Sequence, residues 1–249
     1  YNYNIKDSFL VKFDEGGQRK WTEVIGISGS ETIINSITTE LNDDIFVTGY
    51  TSGNLEGISN SGSYDLFIKK FNTSGVKQWT KLLGSSSKES GNQIITDNSG
   101  NVYVTGFTEG ILDGGNLKGS RDMLIAKVNS SGTFQWVKQI GDTYSEGKDL
   151  SLDSDGYIYI VGFTNGDFDG NSNIGGADIF VAKYNPLDGN KLWSKQYGSS
   201  FDDYGSGIAI DTLNNVYITG YTKGGMYGNT SAGNFDIFVM KLNTDGIIQ

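Results

Sequence analysis

Acidic and amide side chains cluster in one loop of the sequence, which makes it the first candidate for chemistry. Asp167 and Asp169 lie two residues apart in the segment GDFDGNSN, and Asn171 and Asn173 follow them. Two carboxylates could act as acid and nucleophile, or they could ligate Ca²⁺ together with the amide oxygens. The structural alternative is a solvated turn, in which Asp, Asn and Gly serve the backbone.

Related segments elsewhere in the chain weaken the catalytic hypothesis. NLEGISN carries Glu56, ILDGGN carries an aspartate and an asparagine, and GGMYGN carries no acid. We predict ligand contacts, and no catalytic role, for this set: Asp113, Asn116, Asp167, Asp169, Asn171 and Asn173. No cofactor is expected, with calcium at Asp167 and Asp169 as the alternative. An enzyme that uses these two aspartates is a further alternative, and the less favoured one.

A second acidic segment, Asp153-Ser154-Asp155-Gly156, resembles the opening of a calcium-binding loop. The distal Glu of an EF-hand does not complete it, and similar segments (DNSG, DTLN and ELND) occur at equivalent positions. We therefore predict hairpin turns stabilised by Asx hydrogen bonds at these sites.

The elements that position these loops repeat along the chain. The four tryptophans lie 58, 57 and 57 residues apart, and a glycine follows each of them after five residues. The pairs are Trp21 with Gly26, Trp79 with Gly84, Trp136 with Gly141, and Trp193 with Gly198. A fixed period of this kind indicates a repeat architecture.

Two further segments keep the same period. One has the form IFVTGYT and places a glycine at residues 49, 106, 162 and 220. The other begins with Asp, runs through apolar residues and has a Lys five residues later. Recurrence predicts a structural role for these Asp and Lys residues: Asp7, Asp65, Asp122, Asp178 and Asp236, with Lys12, Lys70, Lys127, Lys183 and Lys241.

Each repeat contains four short segments rich in Val, Ile, Tyr, Phe and Thr, separated by turn residues. We name these strands A to D. Four antiparallel strands in tandem predict an all-β fold, a β-propeller of four-stranded blades with a repeat of about 57 residues. We expect one domain over 1–249, with a partial blade at 1–30, blades at 31–84, 88–141 and 146–198, and a partial blade at 203–249. Seventeen strands and a short stub amount to about four and a half blades, which fits a five-bladed outline or part of a larger propeller.

The repeats resemble the SBBP family, the bacterial β-propeller repeat. The resemblance rests on GNVYVTGFT at Gly100 to Thr108, DIFVAKYN at Asp178 to Asn185, and the Trp193 to Gly198 segment. It implies a propeller fold in a bacterial protein that is secreted or displayed on the cell surface, and it implies no single activity.

Composition limits the chemistry of such a fold. The chain has no His and no Cys, and its arginines are Arg19 and Arg121, too few for the arginine cluster of propeller sialidases. The net charge of −10 disfavours nucleic acid and anionic lipid as partners, and no apolar run is long enough for membrane insertion.

We therefore expect a noncatalytic binding or adhesion module rather than an enzyme. Its ligand would be a glycan or a protein, and neighbouring domains or repeats of a longer parent chain would be further partners. The B–C loops, near 52–64, 109–121, 165–177 and 223–235, are the longest in each repeat. They share one face with the D–A connections, so that face is the predicted site. A structural spacer or assembly scaffold is the alternative function.

Overall fold

The computed structural model describes residues 6–112 and 114–249, and these contain seventeen β-strands and no helix. This count agrees with the seventeen strands predicted from the repeat. The strands are β1 (Ser8–Phe13), β2 (Arg19–Ile25), β3 (Thr32–Thr39), β4 (Ile45–Thr51), β5 (Asp65–Phe71), β6 (Lys77–Leu83), β7 (Glu89–Thr96), β8 (Val102–Thr108), β9 (Asp122–Val128), β10 (Phe134–Ile140), β11 (Ser145–Leu152), β12 (Ile158–Thr164), β13 (Asp178–Tyr184), β14 (Lys191–Tyr197), β15 (Asp203–Ile210), β16 (Val216–Thr222) and β17 (Asp236–Leu242).

Five sheets follow one another in chain order. The first pairs β1 with β2, three four-stranded sheets have the orders β3-β4-β5-β6, β10-β9-β8-β7 and β11-β12-β13-β14, and the last is β15-β16-β17. Consecutive strands pair antiparallel, as in β3 with β4 and β12 with β13. These are the meandering four-stranded sheets of a β-propeller, so the predicted fold class is confirmed.

The chain divides into two compact units. The first comprises residues 1–104 and 128–133, and the second comprises residues 105–127 and 134–249. In the first unit, Val47 and Phe67 pack with Leu10, Ile25 and Phe71. In the second unit, Tyr159, Val161, Val181, Ile218 and Leu242 belong to one buried cluster. Strand B of each repeat is β4, β8, β12 or β16, and strand C is β1, β5, β9, β13 or β17. These two strands carry the cores because they are covered on both faces, which explains their nearly continuous apolar sequences.

The glycine that recurs in strand B is required by the close approach of the neighbouring strand. Strand β12 runs antiparallel to β11, and a Cβ placed on Gly162 would lie 2.0 Å from the main-chain oxygen of Glu146. No side chain fits at such a distance, so the strand needs glycine here. The register of β11 also shifts between Gly147 and Asp149, beside this close approach.

Each tryptophan contacts the C–D turn of the next repeat. In the first unit, the indole Nε1 of Trp79 donates to the main-chain oxygen of Ser130 at 3.1 Å. In the second unit, Trp193 donates in the same way to the oxygen of Thr244, also at 3.1 Å. The recurring tryptophans therefore join successive repeats.

The A–B hairpins that begin at Asp97, Asp153 and Asp211 are Asx turns, which confirms the structural interpretation of the second acidic segment. Asp153 Oδ1 accepts hydrogen bonds from the amides of Asp155 and Tyr157 at 3.1 and 2.9 Å. Asp211 Oδ1 accepts from Leu213 and Asn215, both at 2.9 Å.

The recurring strand C lysines also contribute to the repeats through their charge. Lys70 forms ion pairs with Glu40 at 2.9 Å and Asp44 at 3.0 Å, and its ammonium lies 5.0 Å from the Phe46 ring centre. Lys183 pairs with Asp153 at 3.3 Å and lies over the Tyr157 ring at 4.4 Å. These lysines tie strand C to the A–B turn, a structural role that agrees with their recurrence.

Candidate functional site

The B–C loops are built on a common reverse turn. In the loop of the candidate carboxylates, Phe168 and Asn171 form a bridge around Asp169 and Gly170, whose φ angles are 53° and 87°. The first unit has the same turn at Leu55 to Ile58, with φ angles of 55° and 84° at its two central residues. Positive φ at both central positions is the geometry of a type I′ turn, which favours Asp, Asn and Gly.

The first residue of the turn anchors it to the sheet by its burial. Phe168 is completely buried, and its ring stacks on Phe180 with a centroid distance of 4.1 Å. Leu55, Leu112 and Met226 occupy the same place in the other repeats and are also buried. These loops are therefore anchored to their sheets rather than freely solvated.

The predicted site residues of this loop bind the protein itself. The carboxylate of Asp169 accepts hydrogen bonds from Lys191 and from Ser194 Oγ, the latter at 2.8 Å. Asp167 Oδ1 accepts from the Asn173 amide at 2.8 Å, and Asn171 Nδ2 donates to the oxygen of Phe168 at 2.9 Å. The two aspartates thus have different partners: Asp169 holds the turn against strand D, whereas Asp167 closes the loop itself.

Glu56 fills the place of Asp169 in the first unit and has the same kind of partners. Lys69, Lys77 and Thr80 donate to it, the latter two at 2.8 and 2.7 Å. Burial raises the pKa of the Glu56 carboxyl, but these hydrogen bonds outweigh burial and bring it down to about 2. An acid at this turn therefore acts as a local anchor in both repeats.

The remaining predicted residues lie in the second repeat loop. Asn116 is exposed, and Asp113 lies outside the described residues. Across residues 6–112 and 114–249, no group of three or more acidic, His or Cys side chains is arranged to hold a metal ion. Calcium at Asp167 and Asp169 remains a hypothesis without a cluster to support it.

A row of aromatic rings lies at the same end of the sheets in the second unit. We call it the aromatic strip; successive ring centres are 5.8, 4.9, 4.8 and 5.3 Å apart. Its rings belong to the residues at which strand B ends or at which strands A and C begin. In order they are Tyr144, Phe163, Tyr204, Tyr221 and Phe235.

Exposure differs along the strip. Tyr221 is 40% exposed and Phe235 is 49% exposed, whereas the other three rings are half-buried. Burial is the main cause that raises the pKa of the Tyr144 and Tyr204 phenols, so both stay neutral hydroxyls that can donate and accept. The strip thus combines apolar ring surface with neutral polar groups.

Paired charges border the aromatic strip. Arg121 lies 4.8 Å from the Tyr144 ring centre and bonds to Glu109 at 2.5 Å and Glu146 at 2.9 Å. At the other end, Lys223 lies 4.9 Å from the Phe235 ring centre and pairs with Asp202 at 2.6 Å. Each cation therefore has an acidic partner, and the border presents polar donors and acceptors without a strong excess of either charge.

The first unit has a smaller arrangement at equivalent positions. Tyr50 and Tyr64 meet edge to face with ring centres 5.1 Å apart. The hydroxyl of Tyr64 donates to Glu31 at 3.3 Å, and Lys88 lies 5.7 Å from the Tyr64 ring centre.

The strip lies on the predicted face of the B–C and D–A connections, but its rings were not among the predicted site residues. A signal was present, since the residue after the strand B glycine is aromatic in every repeat: Tyr50, Phe107, Phe163 and Tyr221. The other rings come from different strands, so only the pairing of strands reveals that they are neighbours.

Comparison with known proteins places this geometry in a family. The model of the β-propeller repeat, SBBP, matches residues 20–56, 78–113, 135–169 and 192–227, which is more than half of the chain. The chain belongs to the SBBP family. Each match in this SBBP chain runs from strand D through strands A and B to the reverse turn of the B–C loop.

Two curated relatives resemble the SBBP chain. An uncharacterised WD repeat-containing protein of Acanthamoeba polyphaga mimivirus is 27% identical over 87% of this chain and 21% of its own length. Regulatory protein FlaEY of Caulobacter vibrioides is 24% identical over 61% of this chain and 18% of its own length. The chain thus spans about a fifth of the length of these relatives.

Among solved structures, a protein of unknown function from Bacteroides caccae has a TM-score of 0.52 at 10% identity, covering 94% of this chain and 70% of that one. A gluconolactonase from Xanthomonas campestris has a TM-score of 0.48 at 12% identity, covering 96% and 66%. At these identities the first likeness concerns the fold alone.

No helix of the described residues is long and apolar enough to cross a membrane.

Proposed function

We propose that the SBBP chain is a noncatalytic binding module that holds a glycan on the aromatic strip. The observation that carries this proposal is the unbroken row of five rings, two of them well exposed, on the face of the B–C and D–A connections. Loops and strand ends on a rigid scaffold are where binding residues are usually found.

The chemistry of the strip favours carbohydrate. The C–H faces of sugar rings are apolar and stack on aromatic side chains, while sugar hydroxyls need donors and acceptors nearby. Tyr204 and Tyr221 supply rings with hydroxyls, and the Lys223–Asp202 pair supplies donors and acceptors at the border. Because the rings form a row, they suit a chain of sugars better than a single one.

Binding without catalysis agrees with what surrounds the strip. The chain has no His, and its arginine and lysines near the rings are paired with acids. General acid-base catalysis needs a group that titrates near the working pH and is within reach of substrate. Burial raises the pKa of the Tyr144 and Tyr204 phenols of the strip, which moves both groups further from titration at neutral pH.

Retention on polysaccharides tests the proposal. The chain would be run through native gels that contain soluble plant, bacterial or algal polysaccharides, and retardation by at least one of them is expected. Tyr221→Ala should abolish the retardation. Phe13→Ala is the matched control, because Phe13 is 56% exposed but belongs to the β1 strand of the first unit.

Two results would overturn the glycan proposal. One is the absence of retardation by every polysaccharide tested with the folded chain. The other is equal retardation of the Tyr221→Ala variant and the parent chain.

A further inference from the structure

Two buried carboxylates lie close to Gly198, the residue that follows strand β14 in the second unit. Asp178 begins β13 and Asp203 begins β15, and neither is exposed to solvent. A Cβ placed on Gly198 would lie 2.5 Å from Asp178 Oδ1 and 3.0 Å from Asp203 Oδ2. The two acids therefore flank the same small space, which glycine leaves open.

One oxygen of each carboxylate is fully used. Asp178 Oδ2 accepts from the Ile174 amide at 2.6 Å and from Gln196 Nε2 at 2.8 Å. Asp203 Oδ2 accepts from the Ser199 amide and from Ser199 Oγ, the latter at 2.9 Å. These four donors fix the orientation of both side chains.

The other oxygen of each carboxylate lacks a partner. Asp178 Oδ1 and Asp203 Oδ1 are buried and accept no hydrogen bond from the described residues. Neither carboxylate takes part in an ion pair with a lysine or arginine of that part of the chain. A buried ionised oxygen without a donor is costly, and two like charges close together add to the cost.

Other repeats avoid this pairing. Ser145 stands where Asp203 does, and its hydroxyl donates to the Ile140 oxygen and accepts from the Met123 amide. Glu89 stands there in the repeat before, and Ser85 donates to both of its oxygens. The arrangement at Gly198 therefore differs from its equivalents by a second carboxylate with an unused oxygen.

We propose that Asp178 and Asp203 together bind a divalent cation of the calcium class beside Gly198. Hard cations take carboxylate oxygens as ligands, and Ca²⁺ tolerates irregular sites that are completed by main-chain oxygens and water. A charge of +2 balances the two carboxylates and gives each unused oxygen a partner. Burial, followed by the charges of Asp203 and Asp178, raises the pKa of the Tyr227 phenol, so this phenol is within electrostatic range of both carboxylates.

This site is separate from the proposed glycan strip and from the Asp167 loop. It fastens the end of strand D to the starts of strands C and A of adjacent repeats. The expected consequence is stabilisation of the second unit, because an ion that binds only the folded state adds to its stability.

Thermal unfolding with and without calcium tests the site. Adding Ca²⁺ at about a hundredfold excess over its Kd to the EDTA-treated chain should raise the Tm by about 5 °C or more. Asp203→Ser, which copies the Ser145 repeat, should remove that rise. Asp122→Asn changes the equivalent aspartate of the repeat with Ser145 and should keep it.

A spectroscopic measurement identifies the place of the ion. Tb³⁺ bound between Asp178 and Asp203 should luminesce when tyrosine is excited, and Tyr227→Phe should reduce that signal severalfold. Equal Tm values in Ca²⁺ and EDTA would overturn the proposal, as would a calcium shift that survives in Asp203→Ser. An increase in stability of Asp203→Asn at neutral pH without any calcium effect would show relief of repulsion in place of ion binding.

Discussion

The indole of Trp136 lies directly against Gly189, fifty-three residues further along the chain. A Cβ on Gly189 would lie 2.7 Å from the indole ring, and Gly189 has a φ of 68° in the C–D turn of the next repeat. The same contact joins Trp21 with Gly75, Trp79 with Gly132 and Trp193 with Gly246, each pair within one unit. The periodic tryptophans and the C–D turn glycines thus form one recurring contact between successive repeats.

Gly189→Ala should be more destabilising than an ordinary glycine substitution, because it adds a clash with Trp136 to the strain of positive φ. Gly156→Ala is the matched control, since Gly156 has a φ of 83° but no atom within 4 Å of its Cβ position. Chemical denaturation should therefore show a larger loss for Gly189→Ala, by about 1 kcal/mol or more. Equal losses of stability for the two variants would contradict a close contact between Trp136 and Gly189.

Trp136→Ala should cost about 3 to 5 kcal/mol of unfolding free energy, as large aromatic truncations in cores do. Trp136 is 9% exposed, and it also donates to the Pro186 oxygen at 3.4 Å. The loss would be measured by urea unfolding followed by circular dichroism. A stability equal to that of the parent would show that the indole is not a structural contact.

Glu56→Gln should reduce the loss of stability that the chain shows as the pH falls below 4.5. The Glu56 pKa is lowered from 4.5 to about 2, so its stabilising contribution is complete above pH 4.5 and is lost as the pH falls towards 2. With its side chain 28% exposed, we expect a contribution of about 1 to 2 kcal/mol at neutral pH. Melting temperatures of parent and variant between pH 7 and pH 2 should therefore converge at the acidic end. Parallel curves over this range would show that the ion pairs of Glu56 add nothing.

Phe168→Ala should destabilise the second unit, because it empties the buried position that anchors the B–C turn. A loss of about 3 to 5 kcal/mol is expected, against less than about 0.5 kcal/mol for Phe201→Ala at a ring that is 56% exposed. Thermal unfolding of the two variants gives the comparison. If both alanine variants unfolded like the parent, the turn would not depend on Phe168.

The fold was predictable because its determinants repeat at fixed positions. Trp136 with Gly141, the glycine of strand B and the Asp of strand C each recur once per blade, so the four strands and their order follow from one period. The acidic A–B turns were also interpreted correctly, since Asp153 and its counterparts hold equivalent places in the repeats.

The candidate site was less predictable, because it depends on contacts between strands. Asp169 was predicted as a ligand residue, and the sequence does not reveal that its carboxylate bonds to Lys191, twenty-two residues away. The loop around Phe168 is polar in sequence, although a single large apolar residue in such a loop is itself a signal of burial. The rings of Phe163 and Tyr204 become neighbours only through the packing of adjacent repeats.

The aromatic strip is tested most directly by calorimetric titration of a retained oligosaccharide into variants of Tyr204, the ring at its centre. Tyr204→Phe keeps the ring and should change Kd by less than about threefold, whereas Tyr204→Ala should weaken binding by at least about tenfold. All variants must share the parent melting profile for the comparison to hold. Unchanged affinity in Tyr204→Ala would contradict the account, because the ligand would then bind elsewhere on the chain.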